Sequence, residues 1–221
     1  MSEEPPADAL ALLDWRRRIA ELYAEVRAST GGQAPWRRWY EVRSHLFREH
    51  PQSPIPGPGR GAYSGPYVYD HDPAWRALAS LRPAEPRRLE LPATGEEVFA
   101  GRRFGLADFE LAGARLSLEL YWLEGYGGGL FVPFADATSG EETYGAGRYL
   151  LDTVKGADLG QQDGLLVLDF NFAYQPSCSY DPRWGCPLAP PANRLGLPVR
   201  AGERLVPSRG RCGVGLTDWR P

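Results

Sequence analysis

The sequence predicts a β-rich α+β fold, an antiparallel β-barrel or sandwich from about Arg87 to Val206 with N-terminal helices packed on one face. Three observations predict it. Helical signals are confined to the residues before Pro86. Beyond Pro86, short apolar or alternating runs follow one another across hairpin-length links, with no room for the crossover helices that parallel strands need. Finally, 26 Gly and 21 Pro among 221 residues exceed the globular norm and suit many turns rather than a helical bundle.

In order, the first helix is expected from about Ala7 to Ala28, where Leu12, Trp15, Ile19, Leu22 and Val26 recur every third or fourth residue and share one face. Gly31-Gly32 ends it. A second helix begins at Pro35, carries Trp36, Trp39, Tyr40, Val42, Leu46 and Phe47, and stops at His50-Pro51. The two suit a helical hairpin whose aromatic stripe is either buried on its own domain or a groove for a partner. From Pro51 to Gly65 the chain is too rich in Pro and Gly for regular structure. Asp72-Pro73 reads as an N-cap and first-turn proline of a short helix reaching about Leu81. Strands are expected at Arg87 to Leu91, Arg103 to Leu111, Ala114 to Trp122, Leu130 to Phe134, Arg148 to Val154 and Leu165 to Phe172, with a hairpin at Ala112-Gly113. The organisation is thus a helical layer over 1–50, a connection over 51–86, the β-rich core over 87–206, and a tail over 207–221 anchored by Leu216 and Trp219.

Composition excludes some functions. With a net charge of −3 and a pI near 5.7 there is no basic field for a phosphate backbone, so nucleic acid is not an expected partner. The N-terminus carries acid before its first apolar residues and Arg after them, the reverse of a secretory signal. No uncharged apolar run approaches the roughly 18 residues of a membrane span, so a cytoplasmic protein with no membrane partner is expected. Its oligomeric state is not read from the sequence. Cys178, Cys186 and Cys212 make an odd count and no disulfide framework.

The chemistry-bearing residues gather between Leu130 and Glu203. In VLDFNFAY the strand period places Asp169 and Asn171 on one face, and both need polar partners if buried. Arg148 is the expected charge partner of Asp169, in a pair that either organises a ligand site or ties two strands together. Asp136, Glu141 and Glu142 carry oxygens of the kind a hard divalent cation takes, but their spacing fits no EF-hand loop, and neither metal nor cofactor is assigned. Acid-base work would fall to Asp136, Glu142, Asp169 or Glu203, with Tyr144, Tyr149 and Tyr174 as donors, since no His lies in this stretch. Cys178 and Cys186 read as buried or redox-active thiols, a local disulfide, or half of a zinc site.

The segments FADATSGEETYGAGRYL, LDFNFAYQPSCSYDPRWGCPLAPPANRL and VRAGER resemble the signature of an uncharacterised bacterial family, domain of unknown function sixteen-eighty-four. The resemblance runs from the first helix to about Glu203. It marks as motif positions Asp136, Thr138, Thr143, Tyr144, Gly147, Arg148, Tyr149, Asp169, Asn171, Tyr174, Pro176, Cys178, Cys186, Pro187, Asn193, Arg194 and Glu203. The chain departs from the pattern at Gln175, where Asn is usual, and at Ala192, where an acid is usual. The family implies no mechanism. The residues suggest a binder of a small, anionic molecule in a polar pocket lined by Tyr144, Arg148, Tyr149, Asp169, Asn171, Tyr174 and Asn193. Its alternatives are a carboxylate-based or metal-assisted hydrolase or lyase, and a non-enzymatic structural or protein-interaction role.

Overall fold

The computed structural model describes residues 6–29, 31–94 and 98–206. The predicted tail, with Cys212, Leu216 and Trp219, lies outside them. Seven strands run as β1 (Arg76–Leu91), β2 (Phe99–Leu111), β3 (Ala114–Leu123), β4 (Gly129–Phe134), β5 (Arg148–Asp152), β6 (Gln161–Gln162) and β7 (Leu165–Asp169). All pair antiparallel in one sheet of order β5-β4-β3-β2-β1-β7-β6. The sheet curls so far that its two ends meet. Tyr149 in β5 and Tyr174, just beyond β7, exchange backbone hydrogen bonds of 2.8 and 3.0 Å. The result is a half-barrel of the predicted antiparallel, β-rich α+β class. Its fully buried side chains include Leu118, Leu120, Phe131, Phe134 and Phe170.

Two elements differ from expectation. The helix predicted from Asp72 to Leu81 is one 3-10 turn, Pro73–Trp75, whose cap Asp72 accepts from the Ala74 amide at 2.9 Å. Strand β1 follows at once, well ahead of Arg87. The Ala and Leu residues after Trp75 have good helix propensity, but Arg76 to Ala79 pair with β7 and Ser80 onward with β2, and these ladders override it. Pro83 and Pro86 lack the N–H that a ladder needs, and the β1–β2 register shifts between Pro83 and Arg87. At the other end, β7 stops at Asp169 rather than running to Phe172. The Asp169 carboxylate accepts from the Asn171 amide at 3.0 Å and turns the chain into the 3-10 segment Phe170–Phe172. Strand β5 stops early for the same reason, with Asp152 accepting from the Lys155 amide at 3.3 Å.

The β2–β3 link is the predicted two-residue hairpin, with Ala112 at φ 49° and Gly113 at φ 77°, the left-handed pair that suits the twist of the flanking strands. In β3 the predicted half-buried alternation holds only as far as Leu118. Glu119 and Tyr121 are buried too, because the segment around Asn193 covers that side.

Helices α1 (Pro6–Ala28) and α2 (Gln33–Glu49) form the predicted hairpin, joined by a hydrogen bond from the Trp39 indole to the Tyr23 hydroxyl at 3.2 Å. They cover one side of the sheet. Ile19, Leu22, Tyr23, Trp39 and Leu46 belong to the same apolar cluster as the strands, and Trp39 meets Phe172 edge-on at 5.7 Å. The aromatic stripe is therefore mainly core. The Pro-rich connection is irregular apart from the single-turn α3 (Gly57–Arg60), and Arg60 pins it through the Ile55 and Pro51 carbonyls. No helix among the described residues is long and apolar enough to cross a membrane.

Candidate functional site

Arg148 enters β5 directly after Gly147, which sits at φ 95°. A Cβ there would lie 2.5 Å from the Phe134 carbonyl oxygen, so only glycine delivers the arginine at this point. The guanidinium, 1% exposed, donates through Nη1 to the Ala201 and Glu203 carbonyls and through Nη2 to Val199, at 2.5, 3.0 and 2.8 Å. Its ion pair is with Asp136, at 2.8 Å. This corrects the expected pair with Asp169: the Asp136 turn packs against the 199–203 segment and meets the guanidinium there, while the Asp169 carboxylate accepts from the Asn171 amide and side chain. Asp136, fully buried, also accepts from the Thr138 amide and hydroxyl, and Thr138 in turn bonds Thr143 at 2.9 Å. Arg148 and Asp136 thus serve each other and the backbone.

Most other predicted residues are engaged in the same way. Asn171 bonds both backbone groups of Asp72 and the Asp169 carboxylate. Asn193 stands in for a strand, accepting from the Glu119 amide and donating to the Glu119 and Pro133 carbonyls. Tyr149 donates to the Pro187 carbonyl. Glu142 forks with Arg200 and accepts from Tyr69, while Asp136 is sealed with Arg148; no group of three metal-ligating side chains occurs among the described residues. Asp169 borders a groove with Arg76, Gln162 and Phe172, and burial raises its pKa.

Glu203 is buried and holds four hydrogen bonds. One oxygen accepts from Arg43 Nε and Nη2 at 2.9 and 2.6 Å, the other from the Gln175 amide and the Tyr180 hydroxyl at 2.8 and 3.0 Å. Gly202, at φ 74°, makes this approach feasible, since a Cβ there would strike the Ala173 carbonyl. Arg43 is the residue that sequence reading missed. Its signal was available: a cation in the aromatic stripe, three to seven residues from Trp36, Trp39, Tyr40 and Phe47, on a face that should hold none. Its guanidinium sits between the Trp39, Phe47 and Tyr174 rings, at 5.2, 4.9 and 4.8 Å from their centres. Burial alone would lower its pKa, but the Glu203 carboxylate outweighs that and holds it raised.

Beside this pair, where the helical hairpin meets the ends of the sheet, lies a narrow cleft of about 40 Å³. Trp15, Ile19, Tyr23 and Phe47 line it from the helices, Tyr149 and Tyr174 from the closing strands, and Lys155, Gln175 and Ser177 from the loops. Arg43 Nη1 makes no hydrogen bond among the described residues, and the Gln175 side-chain oxygen is buried with none. Burial pushes the Tyr23 phenol up to about 12 and those of Tyr174 and Tyr180 well above their ordinary value, so all three stay neutral donors. Of the predicted site residues, the structure brings Tyr149 and Tyr174 to this cleft. Tyr144 lies elsewhere, beside Cys178 and Cys186, which are buried and not bonded to each other.

Residues 61–204 match a family model described as "Protein of unknown function (DUF1684)". The chain belongs to this family. The matched span begins past the helical hairpin, whereas the sequence resemblance was expected from the first helix. No curated protein matches. An uncharacterised protein of Haloarcula marismortui, from gene locus rrnAC0354 and solved by solution NMR, is similar at 33% identity with a TM-score of 0.54. The similarity covers 75% of this chain and 90% of that one.

Proposed function

We propose that the protein binds a small anionic molecule in the cleft between the helical hairpin and the closing edges of the half-barrel. Arg43 carries this reading. It is a buried cation whose Nε and Nη2 are held by Glu203 while Nη1 is unused among the described residues, and aromatic rings fix the guanidinium plane. Lys155 adds a second cation at the lining, and Ser177 a hydroxyl. The neutral Tyr23 phenol, whose oxygen accepts from Trp39 and whose proton is left to donate, is a recognition group, and Trp15 and Phe47 offer faces for an apolar body. The family motif lines the cleft through Tyr149 and Tyr174 and also builds it: Arg148 and Asp136 hold the 199–203 segment, and that segment delivers Glu203 to Arg43.

The test is a thermal-shift panel of inorganic phosphate, acetate, succinate and benzoate on the wild type and on Lys155→Met. A true ligand at a hundred times its Kd adds about 2.7 kcal/mol of stability. The expected result is a rise in Tm with at least one of them that shrinks in Lys155→Met by about tenfold in affinity, the effect of one lost charge-assisted contact. A panel with no shift, or an equal shift in both proteins, refutes the reading.

A further inference from the structure

Cys178 and Cys186 lie in a part of the fold that the cleft does not use. Seven residues separate them, yet the Cys178 amide donates to the Cys186 sulfur at 3.4 Å. The chain between them is folded back by the 3-10 turn Ser177–Ser179, with Ser179 donating to the Pro176 carbonyl, and by the Trp184 amide donating to Asp181. Thr94, just past the end of β1, clamps the return: its amide donates to the Cys186 carbonyl at 3.1 Å, and its hydroxyl accepts from the Cys186 amide at 3.0 Å. These bonds hold the two sulfurs together before any bond joins them. The two thiols are also unlike. Cys186 is 1% exposed, while Cys178 is 8% exposed with its sulfur 3.7 Å from the Tyr144 hydroxyl.

We propose that Cys178 and Cys186 form a reversible dithiol–disulfide couple that reduces hydroperoxides, Cys178 attacking and Cys186 resolving. The Cys178 thiolate attacks the terminal peroxide oxygen. An S–O bond forms as the O–O bond breaks, and the alkoxide leaves as an alcohol after taking a proton. The Cys186 sulfur then attacks the sulfenic sulfur, so that the S–S bond forms, the S–O bond breaks, and hydroxide departs as water with the Cys186 proton. Two thiols lose two electrons in all, and the peroxide becomes alcohol and water. An external thiol returns the pair to the reduced state by exchange.

The surroundings support this order. The hydrogen bond from Cys186 draws the Cys178 thiol down to about 6 against the opposing effect of burial, and Thr94 and Tyr144 add to it. The same contact, with burial, pushes Cys186 up, so the thiolate resides on the more exposed sulfur. Tyr144 is raised by burial and by Cys178, so its O–H remains to stabilise the thiolate. The other titratable groups acting on the pair are Tyr149 and Lys155.

The experiment uses the full chain carrying Cys212→Ser, which removes the third thiol. Hydrogen peroxide or cumene hydroperoxide is added, remaining thiols are alkylated under denaturing conditions, and the peptides are weighed. The expected result is joint loss of both thiols with loss of two hydrogens, reversal by dithiothreitol, and a rate at least about tenfold above that of free cysteine at neutral pH. In the further variant Cys186→Ser, dimedone should label Cys178. In Cys178→Ser, Cys186 should stay reduced. Survival of both thiols in excess peroxide overturns the proposal, as does wild-type-rate oxidation of Cys186 in Cys178→Ser. Because the parent protein alone shows whether the bond forms, a variant that fails to fold leaves the question decided.

Discussion

Arg148→Met tests most directly whether the family's polar motif holds the fold together. The substitution keeps roughly the length of the aliphatic stem and removes the guanidinium. Asp136, fully buried, would be left without its cation, and breaking such a pair from one side costs about 3–5 kcal/mol. Solvent does not screen it, since the two side chains are 1% and 0% exposed. The carbonyls of Val199, Ala201 and Glu203 lose their donors as well, each at about 1 kcal/mol or more. These contributions overlap, so the expected loss is about 4–7 kcal/mol, a large share of the roughly 5–15 kcal/mol that holds a domain folded. Urea unfolding followed by far-UV circular dichroism measures it, and the same loss should lower Tm by about 8–28 °C. Adding Asp136→Asn to Arg148→Met removes the stranded carboxyl and should restore about 1–2 kcal/mol. A loss below about 1.5 kcal/mol, or no recovery in the double variant, would refute the view that this guanidinium is structural.

Two further outcomes are expected. Burial raises the pKa of Asp152, which is 2% exposed, so the folded state holds its proton more tightly than the unfolded state and stability falls as pH rises through the folded value. Asp152→Asn should therefore stabilise the protein at neutral pH, with a gain that shrinks on acidification as the wild-type carboxyl becomes neutral; urea midpoints at acid and neutral pH check this, and a gain that grows in acid contradicts it. In the β2–β3 hairpin, Ala112 occupies a left-handed position at φ 49° that Asn tolerates better, so Ala112→Asn should add about 0.5–1 kcal/mol, read as a higher urea midpoint at unchanged slope.

How much was legible in the sequence follows from the range of the forces involved. The helical stripes, the Ala112-Gly113 hairpin and the succession of antiparallel strands are local patterns, and they survive into the structure. The clustering of polar groups between Leu130 and Glu203 was legible too, because carboxylates, amides and an arginine among apolar strand residues announce buried hydrogen bonding. Misreadings came where a partner distant in sequence decided the matter. The segment after Trp75 has helix-forming residues and became a strand because β2 and β7 flank it. Asp169 lost Arg148 as a partner because curling of the sheet carried β5 against the 199–203 segment.

By itself, then, the chain determined its class, its periodic elements and the family motif, since these rest on spacing along the backbone. Tertiary structure alone decided which charge meets which. Arg43 and Glu203 stand 160 residues apart, and only packing of the helices on the closed edge of the sheet joins them and leaves a cleft beside the pair. A buried charge must find its opposite wherever the fold brings it within reach, and that choice is written in the packing of the whole chain rather than in any one stretch.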